Sequence, residues 1–367
     1  MGVRTTDEKE KYMQSALKEA LKGAGKVSPN PLVGAVIVKN GRIIGKGYHK
    51  IFGEAHAEVN AINSCTEDPK GSDMYVTLEP CSHHGKTPPC TDLIIARKIK
   101  RVFIGTLDPS PHSNGRGAEL LRLSSIEVEC GINEKKCREI NEPFFHSLKT
   151  KSPLIILKLA SSLDGSIATD ESDSKWISSE NSRKLVHKMR NLYDAVLVGK
   201  KTVESDDPLL TVRSCRGRDP LRIVTDGSLS LSPDRKIFGR GSGTVVITSN
   251  RVPESSETKY KIKGIRIIRV DENNGELDLE QAFRILHSYG IRSIMTEGGA
   301  ALSSYLLRNK LADRIVLFLA PILIGSSVKF FSGSDIRKIS DSVLLENMKY
   351  RRSGSDIMIE ARLRYVN

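Results

Sequence analysis

Two successive α/β domains are what this 367-residue sequence predicts, and three observations predict them. The chain is longer than one hydrophobic core usually serves. Strand-like and helix-like stretches alternate along both halves, the pattern of layered α/β architecture. A short polar, proline-bearing join at 149–153 (KTKSP) separates the two series. The boundaries that follow are a first domain over 1–148, a linker over 149–153 and a second domain over 154–367.

The first series opens with a helix over 8–22, where Met13, Ala16, Leu17, Ala20 and Leu21 share one face and Asp7 serves as N-cap. VGAVIVK (33–39) and RIIGKGY (42–48) are strands joined by Asn40-Gly41, a strong hairpin signal. EAHAEVNAINSC (54–65) reads as a helix and MYVTLEP (74–80) as a strand. A helix over 91–99, a strand over 101–106, a helix near 117–123 and a strand at 126–129 complete a three-layer α/β/α domain. The second series begins with the apolar strand PLIILKL. Strands follow near 194–199, 221–226, 244–249, 265–270, 292–296 and 313–319, with helices at 179–191, 278–289 and 300–308.

Composition excludes several classes. The longest strongly apolar run, 315–325, is too short for a membrane span and contains Pro321. The stretch MGVRTTDEKEKYMQ has no apolar h-region of a secretory signal. Six cysteines in so long a chain make no disulfide framework, and a reducing cytoplasm is the simplest setting. Net charge is +13 and both halves are basic, without a block of like charge. That balance suits a small phosphorylated ligand, nucleic acid, or a merely solvated basic surface.

Chemistry concentrates in EPCSHHGKTPPC (79–90), where Cys81, His83, His84 and Cys90 fall in a loop broken by Gly85, Pro88 and Pro89. Upstream, His56-Ala57-Glu58 opens a helix. Zinc deaminases, whose cytidine-deaminase-like domain is of the three-layer kind, pair an H-x-E helix with a P-C…C segment and keep the glutamate free to shuttle protons. Here the ligands become His56, Cys81 and Cys90, with Glu58 as general acid and base. Three protein ligands leave one tetrahedral position for water, whose pKa the ion lowers. Both cysteines sit near predicted helix starts, where the partial positive charge favours thiolate. Eight residues separate the cysteines, against two in many deaminases, so a structural loop using His83 and His84 is the alternative.

The longer insert carries a family resemblance. SPNPLVGAVIV (28–38), GYHKIFGEAHAE (47–58), YVTLEPCSHHGKTPPC (75–90) and DPSPHSNGRG (108–117) resemble the deaminase half of the bifunctional deaminase–reductases of riboflavin biosynthesis. The resemblance implies Cys81 and Cys90 as ligands, and Asn30, His49, His83, Lys86 and Asp108 as substrate contacts. Lys86 suits a phosphate and His83 a heterocycle. His84 has no assigned role. The family's DPNP reads DPSP here, so Ser110 replaces a side-chain amide.

In the second half, TEGGAAL (296–302) links a predicted strand to a helix through Gly298-Gly299, a turn able to hold a phosphate on backbone N–H groups and equally an ordinary turn. KLASSLDGSIAT (158–169), SKWIS (174–178), DAVLVGKKTVESDDPLLTVR (194–213) and LADRIVLFLAPILIGS (311–326) resemble the reductase half of the same family. The resemblance implies a dihydrofolate-reductase-like fold and NADPH. Ala160, Trp176, Thr202, Asp206, Gly299, Ala300, Ala301, Leu302, Ser303, Ser304 and Tyr305 would line the cofactor site. Lys158, Ser174, Arg190, Leu210, Arg213 and Glu297 would line the ribose-phosphate site. Guanidinium forks match phosphate, although Arg190 at a helix end also suits a salt bridge, and Trp176, the sole tryptophan, also suits a core. Two departures stand out: the family's GES-type turn reads Ser172-Asp173-Ser174, and Gly227 stands where a serine is usual.

The reading is therefore a Zn2+-dependent deamination of a diaminopyrimidinone ribosylamino 5′-phosphate, followed by NADPH-dependent reduction of its ribose. Glu58 and Asp206 are the catalytic candidates. The family implies a cytoplasmic dimer or tetramer with a small-molecule substrate and no nucleic-acid or membrane partner. The competing reading is a nucleoside or tRNA deaminase with an RNA-binding second domain. Few aromatics interleave with the dispersed basic residues, which counts against it.

Overall fold

The computed structural model describes residues 5–84, 88–239, 243–332 and 336–366, in two compact units, 1–150 and 151–367. The first contains α1 (Thr6–Ala20), β1 (Gly34–Lys39), β2 (Arg42–Tyr48), α2 (Ala57–Asn63), β3 (Asp73–Leu78), α3 (Cys90–Ala96), β4 (Arg101–Thr106), α4 (Arg116–Leu123), β5 (Glu127–Cys130), α5 (Glu134–Ile140) and α6 (Glu142–Thr150). Its sheet runs β2-β1-β3-β4-β5, antiparallel across the first three strands and parallel thereafter. Asn40 and Gly41 both take positive φ, as a two-residue hairpin turn requires.

Strand β3 is buried along its whole length, and its alternation explains the layers. Met74 and Val76 meet Ala61, Ile94 and Leu121 of α2, α3 and α4 on one face. Tyr75 meets Met13, Ala16 and Leu17 of α1, with Cys137 of α5, on the other. The N-cap of α1 is Thr5, in a reciprocal capping box with Glu8; Asp7 lies inside the first turn. A hydroxyl reaching the N3 amide is the better cap there, because the helix starts two residues earlier than the apolar pattern indicates. Helix α6 extends into the predicted linker, ending at Thr150.

The second unit contains β6 (Leu154–Ser162), α7 (Glu180–Leu192), β7 (Ala195–Gly199), α8 (Lys200–Asp206), β8 (Leu221–Thr225), β9 (Thr244–Ser249), α9 (Thr258–Lys261), β10 (Arg266–Val270), β11 (Glu272–Asn273), β12 (Glu276–Leu277), α10 (Leu279–Ser288), β13 (Ser293–Thr296), α11 (Ala300–Arg308), β14 (Arg314–Ala320), β15 (Leu344–Ser353) and β16 (Asp356–Arg364). Nine strands form one sheet, β10-β9-β8-β7-β13-β6-β14-β16-β15. Pairing is parallel from β10 to β14, and antiparallel where the closing hairpin joins. Helices α10 and α11 bury Phe283, Leu286 and Leu306 on one face, while Val186 of α7 and Val203 of α8 pack on the other. Strand β15 is an edge, and Leu344, Leu345, Met348 and Tyr350 on it are exposed. Among the described residues no helix is long and apolar enough to cross a membrane.

Candidate active sites

The first site sits where β3 and β4 end at their carboxyl ends. β3 runs out at Leu78, delivering Glu79, Pro80 and Cys81; Cys90 begins α3, and His56 is the N-cap of α2. A Cβ on Gly47 would stand 2.2 Å from the Ala61 nitrogen, so α2 rests directly on β2 and carries His56 and Glu58 with it. His56 Nδ1 lies 3.3 Å from Cys90 Sγ and 3.5 Å from Cys81 Sγ. The three ligand atoms lie within 4.8 Å of one another, the one such His/Cys/Asp/Glu group among the described residues. Tetrahedral bonds of about 2.0–2.3 Å place ligand atoms about 3.3–3.8 Å apart, so this donor set fits zinc. His83 and His84 stand outside the group.

With no metal bound the two thiols share a proton: Cys90 is pushed above the usual thiol range by its hydrogen bond to Cys81 and by burial, which leaves Cys81 as the thiolate. Cys81 is pulled well below the usual thiol range by the Cys90 hydrogen bond, against the opposing effect of burial and with help from His56. The Cys90 amide also donates to Cys81 Sγ at 3.4 Å. Glu58 is 3% exposed, and burial, aided by the Cys81 charge, pushes its carboxyl up to about 7. It borders a cavity of about 370 Å³ with Asn30, His49, His56, Cys81, His83, Asp108 and Ser110. Asn30 Nδ2 donates to His49 Nε2 at 3.1 Å, leaving His49 Nδ1 to donate to the Ala55 carbonyl at 3.2 Å. Of the expected substrate contacts on this side, Lys86 lies outside the described residues. His84 is exposed and away from the cavity.

Sequence reasoning missed Glu79. Its carboxylate, 5% exposed, accepts from the backbone amides of Asp108 (3.1 Å), Gly115 (2.9 Å), Gly117 (2.8 Å) and Ala118 (3.2 Å). It thereby anchors the loop bearing Asp108 and Ser110 beneath the cavity. The one available signal was an acidic residue directly after the largely apolar run MYVTL, where an unpaired charge would be costly.

The second site opens at the carboxyl ends of β7 and β13, beside the middle of β6. A cavity of about 640 Å³ is bordered by Lys158, Ala160, Ser174, Trp176, Arg190, Thr202, Asp206, Leu210, Arg213, Glu297 and Gly299, among others. Arg190 is one side of a buried clamp: Nε and Nη2 donate to Glu297 Oε1 and Oε2 at 2.7 and 2.9 Å, and Nη1 to the Thr211 carbonyl at 3.0 Å. Lys158 Nζ stands 3.8 Å from Glu297 Oε2. Burial works to raise the Glu297 carboxyl, but Arg190 and Lys158 together outweigh it and hold it at about 2. Burial also lowers the Lys158 ammonium, against the pull of Glu297. Asp206 pairs with Lys175 at 3.2 Å. Trp176 is no core residue: it is 69% exposed, with the Arg183 guanidinium 4.7 Å above its ring.

A neighbouring cavity of about 690 Å³ is bordered by Gly299, Ala300, Ala301, Leu302 and Tyr305 at the start of α11, together with Thr202 and Asp206. Ser303 and Ser304 face the interior instead; Ser304 Oγ accepts from the Ser332 amide at 3.0 Å. Helix periodicity turns those two away while the helix start stays open, a fit for a cofactor phosphate on backbone N–H groups. A Cβ at Gly227 would meet only van der Waals neighbours at 3.7 Å, so nothing in the packing demands glycine there.

A family model described as the cytidine and deoxycytidylate deaminase zinc-binding region matches residues 6–106, and one described as the RibD C-terminal domain matches 153–359. The riboflavin biosynthesis protein RibD of Aquifex aeolicus (strain VF5) is 41% identical over 349 residues, covering 95% of this chain and 96% of that protein. Its namesake from Escherichia coli (strain K12) is 37% identical over 365 residues, covering 95% and 98%. Among solved structures, a diaminohydroxyphosphoribosylaminopyrimidine deaminase/5-amino-6-(5-phosphoribosylamino)uracil reductase from Thermotoga maritima superposes with TM-score 0.86 at 38% identity, covering 98% of this chain and 99% of that one. Acinetobacter baumannii RibD superposes with TM-score 0.88 at 31% identity, covering 98% and 100%.

Proposed function

This chain belongs to the RibD family, in which a zinc-binding deaminase unit precedes an NADPH-dependent reductase unit on one polypeptide of riboflavin biosynthesis. We propose that its two sites act in turn on one phosphorylated pyrimidine, through the residues that follow. In the first unit His56, Cys81 and Cys90 hold zinc, which when bound supplies a water molecule acidified towards neutrality. Glu58 would accept one proton of that water and deliver it to a ring nitrogen, then take the second from the hydroxyl of the addition product and pass it to the amine as the C–N bond breaks. A carboxyl that titrates near neutrality through burial is suited to both directions of transfer. Asn30, with its amide on His49, and Asp108, on the loop that Glu79 anchors, orient the heterocycle.

In the second unit NADPH, when bound, would supply hydride for the ribose carbon attached to nitrogen, whose bond to the ring oxygen breaks while that oxygen takes a proton from solvent. Gly299 and the first residues of α11 hold its phosphates, and Asp206 orients it. Lys158 and Glu297 face the sugar, with Arg190 keeping Glu297 ionised. We also propose a cytoplasmic homo-oligomer: none of the six cysteines is in a disulfide, and the edge strand β15, with Leu344, Leu345, Met348 and Tyr350 exposed, suits pairing with a second copy. The elution volume of the intact protein tests the assembly.

One observation carries the reading: two thiols and an imidazole lie within 4.8 Å of one another, and two of these donors, His56 and Cys81, share a cavity wall with a buried carboxyl that is not among them. The RNA-binding alternative has no comparable support, since the second unit matches the RibD C-terminal domain. The test is incubation of the purified chain with the diaminopyrimidine substrate, with and without NADPH. Mass spectrometry should find an amine replaced by a carbonyl in both mixtures, and two hydrogens added only with NADPH. Unchanged substrate would sink the proposal.

A further inference from the structure

The cavity of about 640 Å³ in the second unit is rich in cations, yet most of them are already neutralised. Among the described residues, its lysines and arginines either face a carboxylate or, at Arg183, stack over Trp176. Arg213 is the exception, with neither an acidic partner nor an aromatic ring. Next to it stands His187, half-buried on α7 and one turn before Arg190. The Arg213 amide donates to His187 Nδ1 at 3.1 Å. A nitrogen that accepts a hydrogen bond carries no hydrogen, so in the neutral ring the proton sits on Nε2. Burial, with Arg190 and Arg213 close by, keeps the imidazole below its usual pKa, against the Glu297 carboxylate and the Thr211 carbonyl, which both favour the protonated ring. His187 thus presents a neutral N–H donor beside an unpaired guanidinium.

We propose that His187 binds the substrate's phosphate, its Nε2–H donating to a phosphate oxygen while Arg213 supplies the charge. Arg190 contributes less, because three of its five N–H groups are committed to Glu297 and Thr211. This inference rests on the reductase reading of the second unit and deepens it by naming what selects a phosphorylated substrate over its free riboside.

Two near-isosteres separate binding from scaffolding. His187→Asn keeps an acceptor where Nδ1 stands but loses the donor at Nε2. His187→Gln keeps a donor at the reach of Nε2 but loses the acceptor for the Arg213 amide. Steady-state NADPH oxidation by the full-length protein is measured with the deaminated phosphorylated substrate and with its dephosphorylated counterpart. A hydrogen bond to a charged group is worth about ten- to a hundredfold in affinity. The expected result is a KM for the phosphorylated substrate raised by about that factor in His187→Asn. Its kcat stays unchanged, His187→Gln stays near wild type, and the dephosphorylated substrate is insensitive to either change. Rescue by Asn rather than Gln, or equal effects on both substrates, would mean that His187 only braces the loop, and the proposal falls. If wild type oxidises no NADPH with either substrate, the reductase reading itself fails and takes the inference with it.

Discussion

Arg190 grips Glu297 through two parallel hydrogen bonds of 2.7 and 2.9 Å, both side chains about nine-tenths buried. Removing one partner of such a pair strands a charge and costs about 3–5 kcal/mol. Arg190→Met should therefore destabilise the second unit by about that amount in scanning calorimetry and abolish NADPH oxidation, while ammonia release by the first unit persists. A wild-type transition would refute the clamp.

The same pair sets an acid dependence. Folding holds Glu297 at about 2, below its ordinary 4.5. A depressed carboxyl contributes its stability in full above the ordinary value and loses it as pH falls through the folded one. The shift corresponds to about 3 kcal/mol, lost between about pH 4.5 and pH 2. The stability difference between wild type and Glu297→Gln should shrink over that window; a difference independent of pH would contradict the assignment.

Glu58→Gln should retain stoichiometric zinc, since the carboxylate is not one of the three clustered donors. Deamination should fall by about 10²–10⁴-fold, the range of general acid–base contributions. Metal analysis and an ammonia assay together check this. Loss of zinc would make Glu58 a ligand and overturn its role.

His56→Ala and Cys81→Ser should each drop zinc below one equivalent and abolish ammonia release. NADPH oxidation on pre-deaminated substrate should survive both, because the second cavity is lined within residues 158–299. Joint loss of both activities in a folded variant would refute independent sites.

Glu79→Ala removes the acceptor for four backbone amides, and buried unsatisfied donors cost about 1–3 kcal/mol each. We expect a raised KM in deamination with zinc retained, because the loop bearing Asp108 loosens while the ligand cluster stays. Gly117→Ala should act alike: its Cβ would stand 2.1 Å from the Pro80 carbonyl, driving α4 away from the strand end. Unaltered KM in both variants would show that the loop holds its place without them.

Much was legible in the chain because the signals are local. Alternation and turn chemistry placed β1, β2 and β4 to within a residue, and predicted 244–249 and 300–308 match β9 and α11. The ligand set rests on motif spacing, which a helix start and a strand end translate directly into geometry. The residues that escaped were those whose meaning is non-local. Helix α5 and the β15–β16 hairpin have weak periodic patterns, and their burial or exposure depends on elements distant in sequence. Glu79 and His187 look like ordinary polar residues until folding sets four amides around one and an arginine backbone against the other. What the sequence by itself determined was therefore the identity of the chemistry. Tertiary structure alone decided which charges remain free to meet a ligand, since neutralisation depends on pairings such as Arg190 with Glu297, 107 positions apart.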